Sequence, residues 1–177
     1  MEATQLGDTQ IPLYHCNHES VTSELMKGKL VISQHPNDDS WGGRGMYFWD
    51  NLGNARYWSK QKCGKTKIVR CVVNFNFDDD ILDLTDYYIE SKFAKLLSLT
   101  GDFIKDKPIG KKIDYLCKNI GYKIVRFFGE YEQTPQTDLI NDTNIPNKLT
   151  NKVKIIYCVK NNNLIISDFK EFEVKEL

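Results

Sequence analysis

The sequence predicts an α+β fold in one domain. Three observations lead there: several short β-type runs, helical spacing clustered early and in the middle of the chain, and no regular strand-helix alternation of the kind a doubly wound sheet requires. At 177 residues, 41% hydrophobic and 12% aromatic, the chain has the size and apolar content of one domain that buries a core. It contains no repeat, no linker-like composition and no low-complexity block.

Taken in order, residues 11–15 form a short extended apolar run. Residues 19–27 read as a helix, with Ser20 or Thr22 as its cap and Gly28 ending it. Residues 30–33 look like a second short strand. Residues 34–44 (QHPNDDSWGGR) hold turn formers without periodicity and predict an exposed loop. Residues 45–49 are strand-like, and 51–61 space Leu52, Ala55 and Trp58 helically behind Asp50 or Asn51 as N-cap.

The β-branched run KIVRCVVNF at 67–75 is the clearest strand and ends at the acidic residues 78–80. Residues 87–99 and 109–119 predict two helices, the first with Ile89, Phe93, Leu96 and Leu97 on one face, the second with Ile113, Leu116 and Cys117. Strands are expected at 122–128, 153–159 and 164–167, with a last one at 172–174.

Charge and cysteine usage exclude more than they select. Lysine plus arginine (24) equals aspartate plus glutamate (24), so no global basic field marks nucleic acid or membrane as a partner. The five cysteines are odd in number, with no CxxC pair, and read as reduced and structural. Cys16, His18 and His35 lack a fourth ligand at a zinc-like spacing. The first residues have no basic region leading into an apolar stretch, and no apolar run approaches the ~18 residues of a membrane span. The expectation is a soluble, cytoplasmic protein without a membrane partner. GGRG has neither the spacing nor the Lys-Ser/Thr ending of a phosphate-binding Walker loop.

One segment stands apart. GRGMYFWDN at 43–51 flanks an arginine with glycines, runs through Tyr-Phe-Trp and stops at an acid. Together with LYHCNHES at 13–20 and the continuation LGNARYW, it resembles the diphtheria-toxin and poly(ADP-ribose) polymerase branch of the ADP-ribosyltransferase family over the first third of the chain. In that branch a strand ends in Tyr-His-Gly-Thr, and a later strand reads Gly-x-Gly-x-Tyr-Phe ahead of a helix carrying another tyrosine. The resemblance implies a split β-sandwich of two small sheets around an NAD cleft, with NAD as co-substrate.

By the same resemblance, His15 hydrogen-bonds the adenosine-side ribose, and Tyr47 and Tyr57 stack on the two faces of the nicotinamide. An electron-poor pyridinium is attracted to the negative faces of aromatic rings. Cys16 stands where the family has the glycine whose backbone grips the carboxamide, and serves if its φ is negative. Gly45 would let the strand pass close under the ligand while Phe48 and Trp49 turn into packing. Arg44 would meet the pyrophosphate as a charge-assisted donor.

Breaking the bond between ribose C1 and nicotinamide passes through an oxocarbenium-like transition state, which a carboxylate stabilises. The family glutamate opens a late strand. Here that strand is 153–159, and Lys154 or Ile156 occupies its place. Glu130 is the first replacement candidate and Glu132 the second, both in FFGEYEQTPQTD, with Gln133 and Gln136 as weaker substitutes. Glu171 or Glu173 in FKEFEV is another source, and outright absence, leaving a binding protein, is a third. Residues 130–152 fall where target recognition lies in the family, and a long polar loop in one domain is commonly functional.

The functional expectation is a mono-ADP-ribosyltransferase acting on a protein or nucleic-acid acceptor, a toxin or phage-conflict effector with a neutralising antitoxin as further partner. NAD hydrolysis, or binding of NAD or ADP-ribose without catalysis, are the alternatives. Cysteine catalysis by Cys16 is disfavoured, because His15 beside it in an extended strand points to the opposite face.

Overall fold

In the computed structural model, residues 9–135, 137–140, 148–161 and 164–174 are described. The elements run β1 (Thr9–Asn17), α1 (Glu19–Met26), β2 (Met46–Trp49), α2 (Leu52–Gln61), β3 (Lys67–Phe75), β4 (Ile81–Asp83), α3 (Tyr87–Leu99), α4 (Asp102–Lys105), α5 (Ile109–Ile120), β5 (Ile124–Glu130), β6 (Val153–Val159) and β7 (Ile165–Phe172). A 3-10 turn at Pro36–Ser40 lies between α1 and β2. This is an α+β protein with one seven-stranded mixed sheet, ordered β4-β5-β6-β2-β1-β3-β7. Only β4 and β5 pair in parallel, linked through α3, α4 and α5, while every other neighbouring pair is antiparallel.

Strand alternation divides the core between the two faces of this sheet. Leu13, Phe48, Val69, Cys71, Val73, Tyr157 and Val159 pack on the face covered by Leu25 of α1. Cys16, Trp49, Ile68, Ile156 and Cys158 pack on the other, under Ala55 of α2, Phe93 of α3 and Ile113 and Leu116 of α5. Each fully buried Val, Leu or Phe of this kind contributes roughly 1.5–3 kcal/mol relative to exposure, so both faces are needed to hold the sheet.

The joint at the sheet's centre is narrow. β1 pairs with β3 from Thr9 to Asn17, whereas β1 and β2 register only at Tyr14 and Trp49. Beyond that pair the two strands diverge, and the edge of β1 from His15 to Asn17 is left unpaired toward β2. The strands form one sheet where two were expected, but the sheet opens along this line.

Several local expectations are corrected. α1 starts at His18, which has extended φ and ψ and no side-chain cap; Ser20 and Thr22 lie inside the helix, and the Thr22 hydroxyl donates back to the His18 and Glu19 carbonyls. Residues 30–33 make only one isolated bridge, Ser33 to Gly45. The 34–44 loop is not wholly exposed: Gly42 and Gly43 are buried. The two strands expected at 164–167 and 172–174 are one, β7, carrying a bulge opposite the Arg70/Val72 register shift, with Asp168 at φ 51°. The cap at Asn51 follows the sequence, its side chain accepting from the Asn54 amide, and Gly121 closes α5 in the left-handed region.

Candidate functional site

Where β1 and β2 part, a cleft of about 450 Å³ opens, within the range of small-molecule sites. Its base is His15, Cys16 and Asn17 of β1 with Gly45, Met46 and Tyr47 at the start of β2. Ser33, Asp38 and Trp41 form a loop wall, Trp49, Trp58, Tyr131 and Ile156 an apolar wall, and Lys62 adds a cation.

His15 bridges the opening. Its Nδ1 lies 2.7 Å from the Tyr47 carbonyl, and since a carbonyl can only accept, Nδ1 carries the proton. The imidazole thus replaces the ladder bond that the diverging strands no longer make, and Nε2 is left as an acceptor, 3.4 Å from the Asn17 side-chain nitrogen. Burial, opposed by the Tyr47 carbonyl and reinforced by the Lys62 charge, lowers the pKa of His15 from 6.5 to about 4. At neutral pH the ring is therefore uncharged, with its Nε2 lone pair engaged only by the long bond from Asn17. Such a group binds a hydroxyl donor.

Tyr47 lines the cleft with its ring and is fixed at its far end. Its hydroxyl donates to the Gly43 carbonyl, and burial first, then the nearby Cys158 and Asp38, raises its pKa and keeps the phenol neutral. The loop that receives this bond is itself clamped. Lys160, with 8% of its side chain exposed, pairs with Asp114 of α5 at 2.8 Å and donates to the Gly42 and Arg44 carbonyls, while the Arg44 amide donates to the Asp114 carboxylate. Gly43 sits at φ 78°, and a Cβ there would meet Asp114 Oδ1 at 2.3 Å. Gly45 lines the cleft, and a Cβ there would meet the Cys158 sulfur of β6 at 2.3 Å. The glycines flanking Arg44 therefore let the loop and β2 lie tightly against α5 and β6.

The remaining candidates divide. Cys16 lines the cleft, and Asp168 is the only non-glycine with positive φ among the described residues, so Cys16 has ordinary extended geometry. Burial raises its thiol pKa, with opposing effects from Thr66 and Lys62, which argues against a nucleophile. Arg44 has its side chain exposed and does not line the cleft; Lys62 is the cation that does. The Lys62 amine donates to Asn17 Oδ1 at 2.9 Å, and burial lowers its pKa.

Tyr57 is not part of the cleft wall. Its ring meets Tyr131 edge-on at 5.8 Å, and the Lys154 amine lies 4.6 Å from its centroid. The other rings lining the cleft belong to an aromatic cluster centred on Tyr131, which stacks on Trp41 at 5.5 Å and packs against Trp49 and Trp58. Trp58 follows Tyr57 by one residue, so helix phase decides which of them faces the cleft; the Leu52, Ala55, Trp58 spacing in the sequence carried that signal.

Neither favoured carboxylate reaches the cleft. Glu130 ends β5 opposite Val153 and is exposed, and Glu132 is exposed and pairs with Lys152 at 3.0 Å. Glu171 pairs with Lys67 on the far edge strand, and Glu173 is exposed. Gln136 and residues 141–147 of the proposed recognition loop lie outside the described residues. On β6, Ile156 lines the cleft, and Lys154 is buried with its amine on the Asn151 carbonyl. The one carboxylate among the cleft-lining residues is Asp38.

His18 binds the Lys65 carbonyl, and His35 accepts from the Asn37 amide as the cap of the 3-10 turn. Among the described residues no cluster of His, Cys, Asp or Glu is arranged to hold a metal ion, and no helix is long and apolar enough to cross a membrane. No protein-family model, curated protein or solved structure matches the chain.

Proposed function

We propose that the cleft binds NAD and that the protein is an ADP-ribosyltransferase whose opened sheet is the split sandwich of that family. The observation that carries this reading is His15: a neutral imidazole locked by the Tyr47 carbonyl at the cleft base, whose Nε2 accepts only a long 3.4 Å bond from the Asn17 amide that a hydroxyl donor can replace. A ribose supplies the hydroxyl donor, and a nicotinamide supplies the flat, electron-poor ring that gains from the Tyr47 face.

Lys62 supports the diphosphate. Its ammonium is partly desolvated and held only by an amide oxygen, so an anion in the cleft restores what burial removes. NAD supplies an activated glycosidic bond: the bond from ribose C1 to the pyridinium nitrogen breaks with its electron pair returning to nicotinamide, and an acceptor heteroatom bonds to C1 and loses its proton. The chain's part is to fix the ribose through His15, hold the ring against Tyr47 and exclude water with the Trp41, Trp58 and Tyr131 wall. The acceptor is a protein or nucleic acid.

A second reading has its own support. Ile156 stands on β6 where the resemblance expects a glutamate, and a site without that carboxylate suits binding of NAD or ADP-ribose without turnover. Nicotinamide release from NAD, with and without a cell lysate as acceptor source, separates the two. The transferase requires lysate-dependent release that His15→Ala and Tyr47→Ala abolish. Release that proceeds equally well without lysate makes the protein a hydrolase. A melting temperature raised by NAD without any release establishes the binding protein, and the absence of both effects rules the cleft out as an NAD site.

A further inference from the structure

The geometry points to Asp38 as the carboxylate that serves the transfer step, an inference that rests on the NAD reading of the cleft. The sequence places Asp38 in a polar turn with no distinguishing motif. The fold brings it to the cleft wall, where no other lining residue is acidic. Charge in that position matters because the reacting ribose becomes cationic as nicotinamide leaves, and a fixed carboxylate stabilises that charge without reorganising.

Asp38 is also built in place. Its Oδ2 accepts from the Ser33 hydroxyl at 2.7 Å. Its backbone carbonyl accepts from the Trp41 and Gly43 amides, both at 3.0 Å. From the other side, α5 fixes the turn. Gly110 has no side chain, so α5 approaches until a Cβ there would lie 2.4 Å from the Asp38 carbonyl, and Lys111 pairs with Asp39 at 3.0 Å. Asp38 and Tyr47 line the same cleft, and the negative charge of Asp38 is among the causes that raise the Tyr47 hydroxyl pKa, after burial and Cys158.

In the step itself, the C1–N bond breaks toward nicotinamide, the acceptor's lone pair forms the new bond to C1, and the acceptor's proton passes to the Asp38 carboxylate and then to water. No oxidant or metal enters the balance. Asp38→Asn keeps the size of the side chain and an oxygen for Ser33 while removing the charge and the base, so it separates chemistry from architecture.

The full chain, as wild type, Asp38→Asn, Asp38→Glu and the surface control Asp79→Asn, is assayed for NAD binding by calorimetry and for lysate-dependent nicotinamide release across pH. The expected result is NAD affinity within about threefold of wild type in Asp38→Asn, release lowered on the order of 10²-fold or more, and partial recovery in Asp38→Glu. Release within a few-fold of wild type in Asp38→Asn overturns the role of Asp38 and leaves the cleft reading intact. A wild type that binds NAD and releases nothing also overturns it, in favour of the binding protein. A wild type that neither binds nor releases overturns the cleft reading and Asp38 with it.

Discussion

The Tyr47 side chain has two separable parts: a ring that faces the cleft and a hydroxyl that ties β2 to the Gly43 carbonyl. Tyr47→Phe removes only the tie. A single hydrogen bond of this kind contributes about 1 kcal/mol net, so the urea midpoint of Tyr47→Phe should fall by a corresponding small step while NAD affinity stays near wild type. If Tyr47→Phe loses binding as Tyr47→Ala does, the hydroxyl and not the ring is the ligand contact. At this scale the sequence was informative for His15 and Tyr47, because a strand ending in Tyr-His and a strand opening in Gly-x-Tyr-Phe are local patterns. It was uninformative for Asp38, Trp41 and Tyr131. These come from two loops separated by about half of the chain, and only packing between α5, the 3-10 turn and the end of β5 sets them side by side. Tyr57 and Trp58 show the intermediate case, in which the residue types were legible and a rotation of about 100° per helical residue decided between them.

Between elements, the cleft wall depends on how closely α5 meets the 3-10 turn. Gly110 lies in the first turn of α5, where alanine would ordinarily add about 1 kcal/mol of helix propensity. Here the added Cβ would fall 2.4 Å from the Asp38 carbonyl and 2.8 Å from the Asp39 Cα, both of them backbone atoms that cannot swing aside. Gly110→Ala should therefore destabilise the protein, by roughly 1–3 kcal/mol of overpacking, and weaken ligand binding by displacing the Asp38 turn. Equal or greater stability in chemical denaturation, with unchanged NAD affinity, would show that the turn is not held by this contact. Elements with strong patterns were legible to their ends: β3, α3 and β6 occupy the spans their apolar spacing indicates. β4 and α4, at 3 and 4 residues, are too short to show any period. β7 read as two strands because its bulge at Asp168 interrupts the alternation.

For the molecule as a whole, buried titratable groups set the pH range of stability. His15 has its pKa lowered from 6.5 to about 4 by burial, so the folded state binds fewer protons than the unfolded chain between those values. Its contribution is fully present above pH 6.5 and is lost as pH falls toward 4, by about 1.4 kcal/mol per pH unit and on the order of 3 kcal/mol in all. The lysine-paired Glu19, Glu24 and Glu132, whose pKa values are lowered from 4.5, begin to lose theirs only below that value, which leaves the window between 6.5 and 4.5 to His15. On the alkaline side the sign reverses. Burial raises the Cys71 and Cys117 thiols from 9.0 to about 12 and Cys158 to about 11, so the unfolded chain ionises first and stability falls as pH climbs above 9. Burial raises the Cys16 thiol in the same direction, and a plateau between about pH 6.5 and 9 follows, bounded by one imidazole and four thiols. Denaturant midpoints measured from pH 4.5 to 10 should trace it, and in His15→Gln the acidic slope should flatten while the alkaline slope persists. An unchanged acidic slope in His15→Gln would mean that His15 is not held neutral in the folded protein, and would remove the lone pair at Nε2 on which the reading of the cleft depends.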